Sequence, residues 1–126
     1  MDANSYVEPK GGSRLGVDAL GECLAQKGWR STFGAPPSKA MVTTCAARTF
    51  LQPQTNKGNR AATRTTNGDT NPKDHILYVG ASAQLVGEPH RDNTGSGCFQ
   101  AGVTFPSIAF PSDHALIGAV LKLKGF

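Results

Sequence analysis

Paired cysteines, long apolar runs and dense charge are all missing from this 126-residue chain. Its three cysteines, Cys23, Cys45 and Cys98, are widely spaced and form no CxxC pair, which argues against a disulfide framework or a zinc knuckle. We expect free thiols in a reducing compartment, and the alternative that an odd count permits is a disulfide between subunits. No apolar run approaches the ~20 residues of a membrane span, and the N-terminus lacks the regions of a signal peptide. These absences favour a soluble protein with no membrane partner.

The residue patterns of common catalytic and cofactor sites are also lacking. The three histidines, His75, His90 and His114, show no metal-ligand spacing, and no glycine-rich phosphate loop ends in Lys-Ser or Lys-Thr. His90 lies in the sequence EPHRD, which we interpret as a solvated turn because no converging partner is visible. Cys98 follows TGSG without the Gly-x-Ser-x-Gly pattern of a hydrolase, so we interpret it as a turn entering a strand. We therefore predict no enzyme activity, no cofactor and no metal.

Glycine and proline are plentiful, with 15 and 8 copies, whereas charged residues make up only 17% of the chain. This composition favours turns, strands and ordered arms over a helical bundle. The length predicts a single domain over residues 1–126. Hydrophobic residues, at 38%, are sparse enough that we expect an oligomer interface to add stability. The net charge of +4 mildly favours a polyanionic partner.

The order of the patterns predicts strands first and a helix last. Residues 1–14 are polar and predict an arm that is ordered only where something holds it. Residues 15–27 fit either an alternating strand, which we prefer, or a helix that begins near Asp18 and stops at Gly28. The remaining segments are predicted as strands over 29–33, 39–51, 75–86 and 98–110, a turn over 34–38, a long polar loop or hairpin over 52–74, and a loop over 87–97.

The C-terminal residues carry the clearest local signal, a short helix with both ends marked. Ser112 is a suitable N-cap, and Gly125 fits the left-handed position after a helix. Leu116, Val120 and Leu123 form an apolar stripe at helical spacing. About a dozen residues is too short for a helix to be stable alone, so it must pack on a sheet or a partner subunit. The predicted fold class is α+β, an antiparallel β-sheet followed by a short C-terminal helix.

A group of basic residues spans the end of one predicted strand and the polar loop. These residues are Arg48, Lys57, Arg60, Arg64 and Lys73. On a Thr- and Asn-rich segment they could contact phosphates, and the alternative is an ordinary solvated loop. Tyr78 and Phe50 offer stacking surfaces, although a place in the core is the simpler interpretation.

The sequence VTFPSIAFPSDHALI, residues 103–117, resembles the strand-to-helix junction of coat proteins from single-stranded RNA bacteriophages. The strand containing Val42-Thr-Thr-Cys45 and the β-then-helix order are also similar. The resemblance implies a dimer with a continuous antiparallel sheet, helices that cross the partner's sheet, and a shell of many dimers around RNA. It implies RNA contacts from an inward sheet face, with Thr44, Arg48 and Tyr78 as candidates.

These interpretations together predict a self-assembling coat subunit of a virion, assembled in the host cytoplasm, that encloses RNA and contacts other virion proteins. The predicted RNA-binding residues are Thr44, Arg48, Lys57, Arg60, Arg64 and Tyr78. Two other functions stay open. One is a decoration or cement protein bound to another protein's shell, and the other is an RNA-binding subunit of a larger ribonucleoprotein.

Overall fold

The computed structural model describes residues 1–3, 5–7, 16–46 and 69–125. The elements in chain order are α1 (Val17–Gln26), β1 (Trp29–Ser31), β2 (Thr44–Ala46), β3 (Asp69–Asn71), β4 (Leu77–Val79), β5 (Ala83–Asp92) and β6 (Leu116–Leu123). Within these ranges, no helix has the length and apolar character needed to cross a membrane.

Helix α1 shows that our preference for extended structure over residues 15–27 was wrong and that the helical alternative was right. Gly16 is the N-cap, and Asp18 places negative charge in the first turn, where the helix dipole favours it. Val17 and Leu24 lie two turns apart and are both buried, which gives the helix its packed face. Gly28 has a φ of +68°, a conformation that glycine adopts without strain and that ends the helical path.

The strands form three separate antiparallel pairs in the described part of the chain: β1 with β4, β2 with β3, and β5 with β6. The expected antiparallel pairing is therefore present, but it is divided among small sheets. The β5–β6 pair, here called the ribbon, is the longest of the three and runs from Ala83 opposite Leu123 to Asp92 opposite Leu116.

The predicted fold class was wrong at the C-terminus, because residues 116–123 form strand β6 and not a helix. Leu116 and Val120 are four residues apart, a spacing that puts two side chains on one face of either a helix or a strand. The hydrogen-bonded register with β5 decides between the two. Ser112 does accept a hydrogen bond from the backbone N–H of His114 at 3.1 Å, but it caps a turn.

Residues 87–97, predicted as a loop, are partly strand. The register of the ribbon shifts between Val86 and His90, so Gly87, Glu88 and Pro89 form a bulge opposite Ala119. Proline has no N–H for a ladder, and a bulge is one of the few positions in a strand that accepts it. The glycine and proline therefore do mark an interruption, but the strand continues beyond it to Asp92.

The predicted strands over 39–51 and 98–110 were too long. Only Thr44–Ala46 is strand in the first range, of which residues 47–51 lie outside the described residues. The second range is irregular, and of its apolar residues Phe105 is buried whereas Ile108 is fully exposed. Phe105 packs with Cys45 and Ala115 in a small core, and its ring meets that of Phe110 edge to face.

The described residues of the first seven positions are hydrogen-bonded to the end of β3 and the segment that follows it. The N–H of Ala3 donates to the carbonyl of Lys73 at 2.7 Å, and the N–H of His75 donates to the carbonyl of Met1 at 2.9 Å. On the opposite side of the same segment, the Thr43 hydroxyl accepts the N–H groups of Lys73 and Asp74, each at 3.0 Å. Residues 71–75 are thus bonded on both sides.

Candidate functional site

One face of the ribbon exposes large aliphatic side chains. Val86 and Val120 are direct cross-strand partners and are 48% and 66% exposed, and Leu116, on the same face of β6, is 58% exposed. The opposite face carries Leu85 and Leu121, which are half-buried, and at its end Leu123, which is 56% exposed. Two-stranded ribbons are marginal alone in water, so an uncovered apolar face on such a pair marks a surface that another element stabilises.

The two strands of the ribbon also have outer edges with no partner strand among the described residues. An unpaired edge presents a row of N–H and C=O groups that another chain can bond. The bulge at residues 87–89 interrupts this row on β5. The edge of β6 has no such interruption, and its charged residues are Lys122 and the adjacent Lys124.

A tight loop closes the far end of β5, and the carboxylate of Asp92 holds it. Asp92 Oδ1 accepts the N–H of Thr94 at 2.7 Å and that of Gly95 at 2.9 Å, while Oδ2 accepts the N–H of Gly97 at 3.0 Å. These bonds, led by the one from Thr94, favour the charged carboxylate and lower the pKa of Asp92 to about 2. The loop is therefore fixed by an ionised group over the whole physiological pH range.

Cys98 ends this loop beside two hydroxyls. Its Sγ lies 3.4 Å from Thr94 Oγ1 and 3.7 Å from Ser96 Oγ, and the thiol is exposed. His90, the other candidate of the sequence, lies on β5 opposite Gly118 and is exposed. The turn predicted before Cys98 lies in this loop, but no strand follows it directly. The turn predicted around His90 was wrong, because that residue is part of β5.

A cleft of about 980 Å³ lies between α1, the β1–β4 pair and the turn at Pro36-Pro37. The apolar part of its wall is formed by Leu24, Trp29 and Val79. Its charged rim consists of Asp18, Glu22, Lys27 and Arg30, two acids and two bases. The rim charges cancel, so its electrostatics favour neither a polyanion nor a polycation.

Two glycines let the walls of the cleft approach closely. A Cβ on Gly21 would lie 2.7 Å from Cβ of Pro36, so α1 packs directly on the proline turn. A Cβ on Gly80 would lie 2.7 Å from Nε of Arg30, so the Arg30 side chain crosses the β4 end at that glycine. Gly21 requires the absence of a side chain because the proline ring cannot move aside, whereas at Gly80 the exposed Arg30 side chain can shift.

None of the known protein families, curated proteins or solved structures with which the chain was compared is significantly similar to it.

The RNA-binding residues predicted from sequence fall into two groups. Arg48, Lys57, Arg60 and Arg64 lie outside the described residues. Thr44 is 2% exposed in β2, where its hydroxyl donates to the carbonyl of Asn71 at 3.1 Å and accepts the N–H of Asn71 at 3.2 Å. Tyr78 is half-buried in β4, opposite Arg30. The structure places Thr44 and Tyr78 in different sheets and does not bring them together.

Two clusters of polar side chains were not predicted from the sequence, because their members are far apart in the chain. His75 is fully buried and lies within hydrogen-bond distance of the hydroxyls of Ser5 and Ser31. Burial closes this serine–histidine cluster to any substrate. Separately, Asp2, Asp74 and His114 converge within 4.8 Å, and His114 Nδ1 already pairs with Asp74 Oδ2 at 2.8 Å. We interpret that group as a histidine–aspartate hydrogen bond with a second carboxylate beside it, because Nδ1 of His114 is engaged by Asp74.

Proposed function

We propose that this chain is a structural subunit of a virion, which assembles with copies of itself and encloses RNA. The observation that carries the proposal is the exposed aliphatic face of the ribbon, formed by Val86, Leu116 and Val120. Fully burying a Val or Leu side chain contributes about 1.5–3 kcal/mol. A face-to-face contact between two ribbons would bury this trio twice and would place Gln84 and Lys122 at its polar rim, with His90 between the valine pair and Leu116.

A closed shell needs a second kind of contact besides one that makes dimers. The unpaired edge of β6 offers it, because strands from neighbouring dimers could bond there and extend the sheet. Lys122 and Lys124 also reduce the tendency of that edge to pair indiscriminately, as charged edge residues do in other sheets. Face and edge are thus two chemically different interfaces on one ribbon.

Support for RNA as the enclosed molecule comes from charge. The whole chain carries +4, and four of its basic residues, Arg48, Lys57, Arg60 and Arg64, lie close together in the sequence. Lysine and arginine side chains bind phosphates without regard to base sequence, as a shell that encloses a genome requires. The rim of the Trp29 cleft has no net charge, so we assign RNA binding to the basic segment and not to the cleft.

The structure removes one part of the resemblance to RNA-phage coat proteins, the terminal helix. The resemblance began with a strand that runs into a terminal helix, and residues 116–123 are a strand. Assembly through crossing helices is therefore not part of the proposal, and assembly through sheet faces and edges takes its place.

The experiment is size-exclusion chromatography of the expressed protein with absorbance at 260 and 280 nm, followed by negative-stain microscopy of the peak. We expect large closed particles with high absorbance at 260 nm. A protein that stays monomeric at every concentration and salt tested would contradict assembly. A small oligomer without nucleic acid would replace the proposal with a decoration protein. RNA binding without closed particles would replace it with a ribonucleoprotein subunit.

A further inference from the structure

The N-terminal residues are fastened to the 71–75 segment by a ladder of bonds, here called the clamp. The Met1 ammonium donates to the His75 carbonyl at 2.7 Å, and the His75 N–H donates back to the Met1 carbonyl. Further along, the N–H of Ala3 bonds to Lys73 and the N–H of Val7 to the side-chain oxygen of Asn71. The clamp therefore holds both described parts of the segment, 1–3 and 5–7.

The His75 ring is the buried centre of the clamp. Its Nε2 lies 2.9 Å from the carbonyl of Pro72, which can only accept, so Nε2 carries the proton. Its Nδ1 lies 3.1 Å from Ser31 Oγ, and that hydroxyl also accepts the N–H of Phe33. Ser31 therefore donates its own proton to Nδ1. Both ring nitrogens and both serine hydroxyls are therefore satisfied while the imidazole is neutral.

A second proton on His75 would break this arrangement. Nδ1 would become a donor, and the Ser31 proton facing it would have to turn away into a buried space. A buried cation is costly unless an anion pairs with it directly. Here the hydrogen-bond partners of the ring are two serine hydroxyls and a carbonyl, and none of them is an anion.

The charges near the ring oppose one another. Asp74, the next residue in the chain, favours the protonated ring, whereas the Met1 ammonium on the N-terminal segment disfavours it. The Asp74 carboxylate also lies within hydrogen-bond distance of His114, with Nδ1 and Oδ2 2.8 Å apart. The β1 side of the ring contributes Ser31 and Phe33, which carry no charge. The net effect is led by burial, which lowers the pKa of His75 below its ordinary value.

We propose that the clamp is an acid-released latch: protonation of His75 frees the N-terminal segment from residues 71–75 while the ribbon stays folded. Release exposes the C=O of Lys73, which now accepts from Ala3, and the N–H and C=O of His75, which now bond Met1. The segment stays bonded to Thr43 on its other side, so it becomes an open strand edge and not an unfolded chain. This inference does not depend on the proposed assembly.

The test is amide hydrogen exchange of Ala3 and His75 at about pH 7.5 and about pH 5, corrected for the intrinsic pH dependence of exchange. We expect the protection of both amides to fall by about tenfold or more at the lower pH. The amides of Gln84 and Lys122, a pair that exchanges ladder hydrogen bonds across the ribbon, serve as the internal reference and should keep their protection. Loss of protection in both places would mean global unfolding and would overturn the latch, as would unchanged clamp amides.

Substitutions identify the titrating group. His75→Gln keeps a donor and an acceptor but does not titrate, and we expect it to abolish the pH dependence at Ala3. His90→Gln, at an exposed position of β5, is the matched control, and His114→Gln tests the partner of Asp74. Both variants should retain the acid-dependent release.

If His75→Gln does not fold, Ser31→Ala is the substitute variant. It removes the hydroxyl that donates to Nδ1 and should move the release to higher pH. Release that persists in His75→Gln, disappears in His114→Gln, or fails to move in Ser31→Ala would contradict the assignment.

Discussion

Val86 and Val120 face each other across the β5–β6 ribbon, and they are 48% and 66% exposed. Cross-strand valine pairs are usually covered in a folded protein, because their aliphatic side chains fit a packed sheet surface. An exposed pair on a two-stranded ribbon therefore identifies the place where a second copy is expected to pack.

Replacing Val120 with Arg should weaken self-association, because the charge would have to be buried in the contact. We expect the concentration at which half the protein is assembled to rise by about tenfold or more, which corresponds to about 1.4 kcal/mol. Analytical ultracentrifugation of a dilution series measures it. Val103→Arg is the matched control, since Val103 is 37% exposed but lies outside the ribbon. Equal effects of the two changes would exclude the ribbon face as the interface.

Gly21→Ala should destabilise the protein although alanine is the better helix former. In a free helix the change would gain up to about 1 kcal/mol. Here the new Cβ would lie 2.7 Å from the ring of Pro36, and overpacking of this kind costs about 1–3 kcal/mol. The free energy of unfolding, measured in urea, shows whether the gain in helix propensity or the cost of overpacking is larger. Ala25→Gly, at an exposed position of the same helix, measures the helix-propensity effect alone. A rise in stability for Gly21→Ala would show that α1 does not pack tightly on the proline turn.

The loop after β5 should loosen in acid in a defined range. The pKa of Asp92 is about 2 in the folded protein, below its ordinary value of 3.8. The contribution of this carboxylate is therefore present above about pH 4 and is lost as the pH falls toward about 2. Hydrogen exchange of the Thr94, Gly95 and Gly97 amides should accelerate over that range after correction for intrinsic rates. In Asp92→Asn the amides should already exchange fast at pH 5, whereas Asp113→Asn, at an exposed aspartate, should leave them protected.

The predicted RNA contacts can be counted from the salt dependence of binding. Replacing Arg48, Lys57, Arg60 and Arg64 with Gln should reduce the slope of log K against log[salt] by about 0.7 for each phosphate of single-stranded RNA that the protein no longer neutralises. Fluorescence anisotropy with a labelled oligonucleotide provides the measurement. The charge-matched control replaces Lys27, Arg30, Lys122 and Lys124, which lie on the cleft rim or on the ribbon. A larger reduction of the slope in the control would move the RNA surface to those elements.

The sequence predicted local backbone turns better than it predicted which strands pair with one another. Gly28 and the proline turn after Gly34 were recognisable because their backbone conformations depend on the residue itself. The structure of Leu116–Leu123 was not, because a four-residue spacing of apolar side chains fits both periodicities, and pairing with β5 is a long-range choice. The clamp was equally hidden, since its residues are separated by about seventy positions and only the fold brings Ser5 to His75.

The chain has a single tryptophan, Trp29, and it lies where α1 meets the β1–β4 pair. Its emission therefore reports on that junction, while the ribbon contributes nothing to the tryptophan signal. Circular dichroism in the far ultraviolet sums over every strand and the helix. Melting curves from the two methods would coincide if the helix–sheet junction and the ribbon unfold as one cooperative unit. A gap between them would reveal that the molecule consists of two units with separate stabilities.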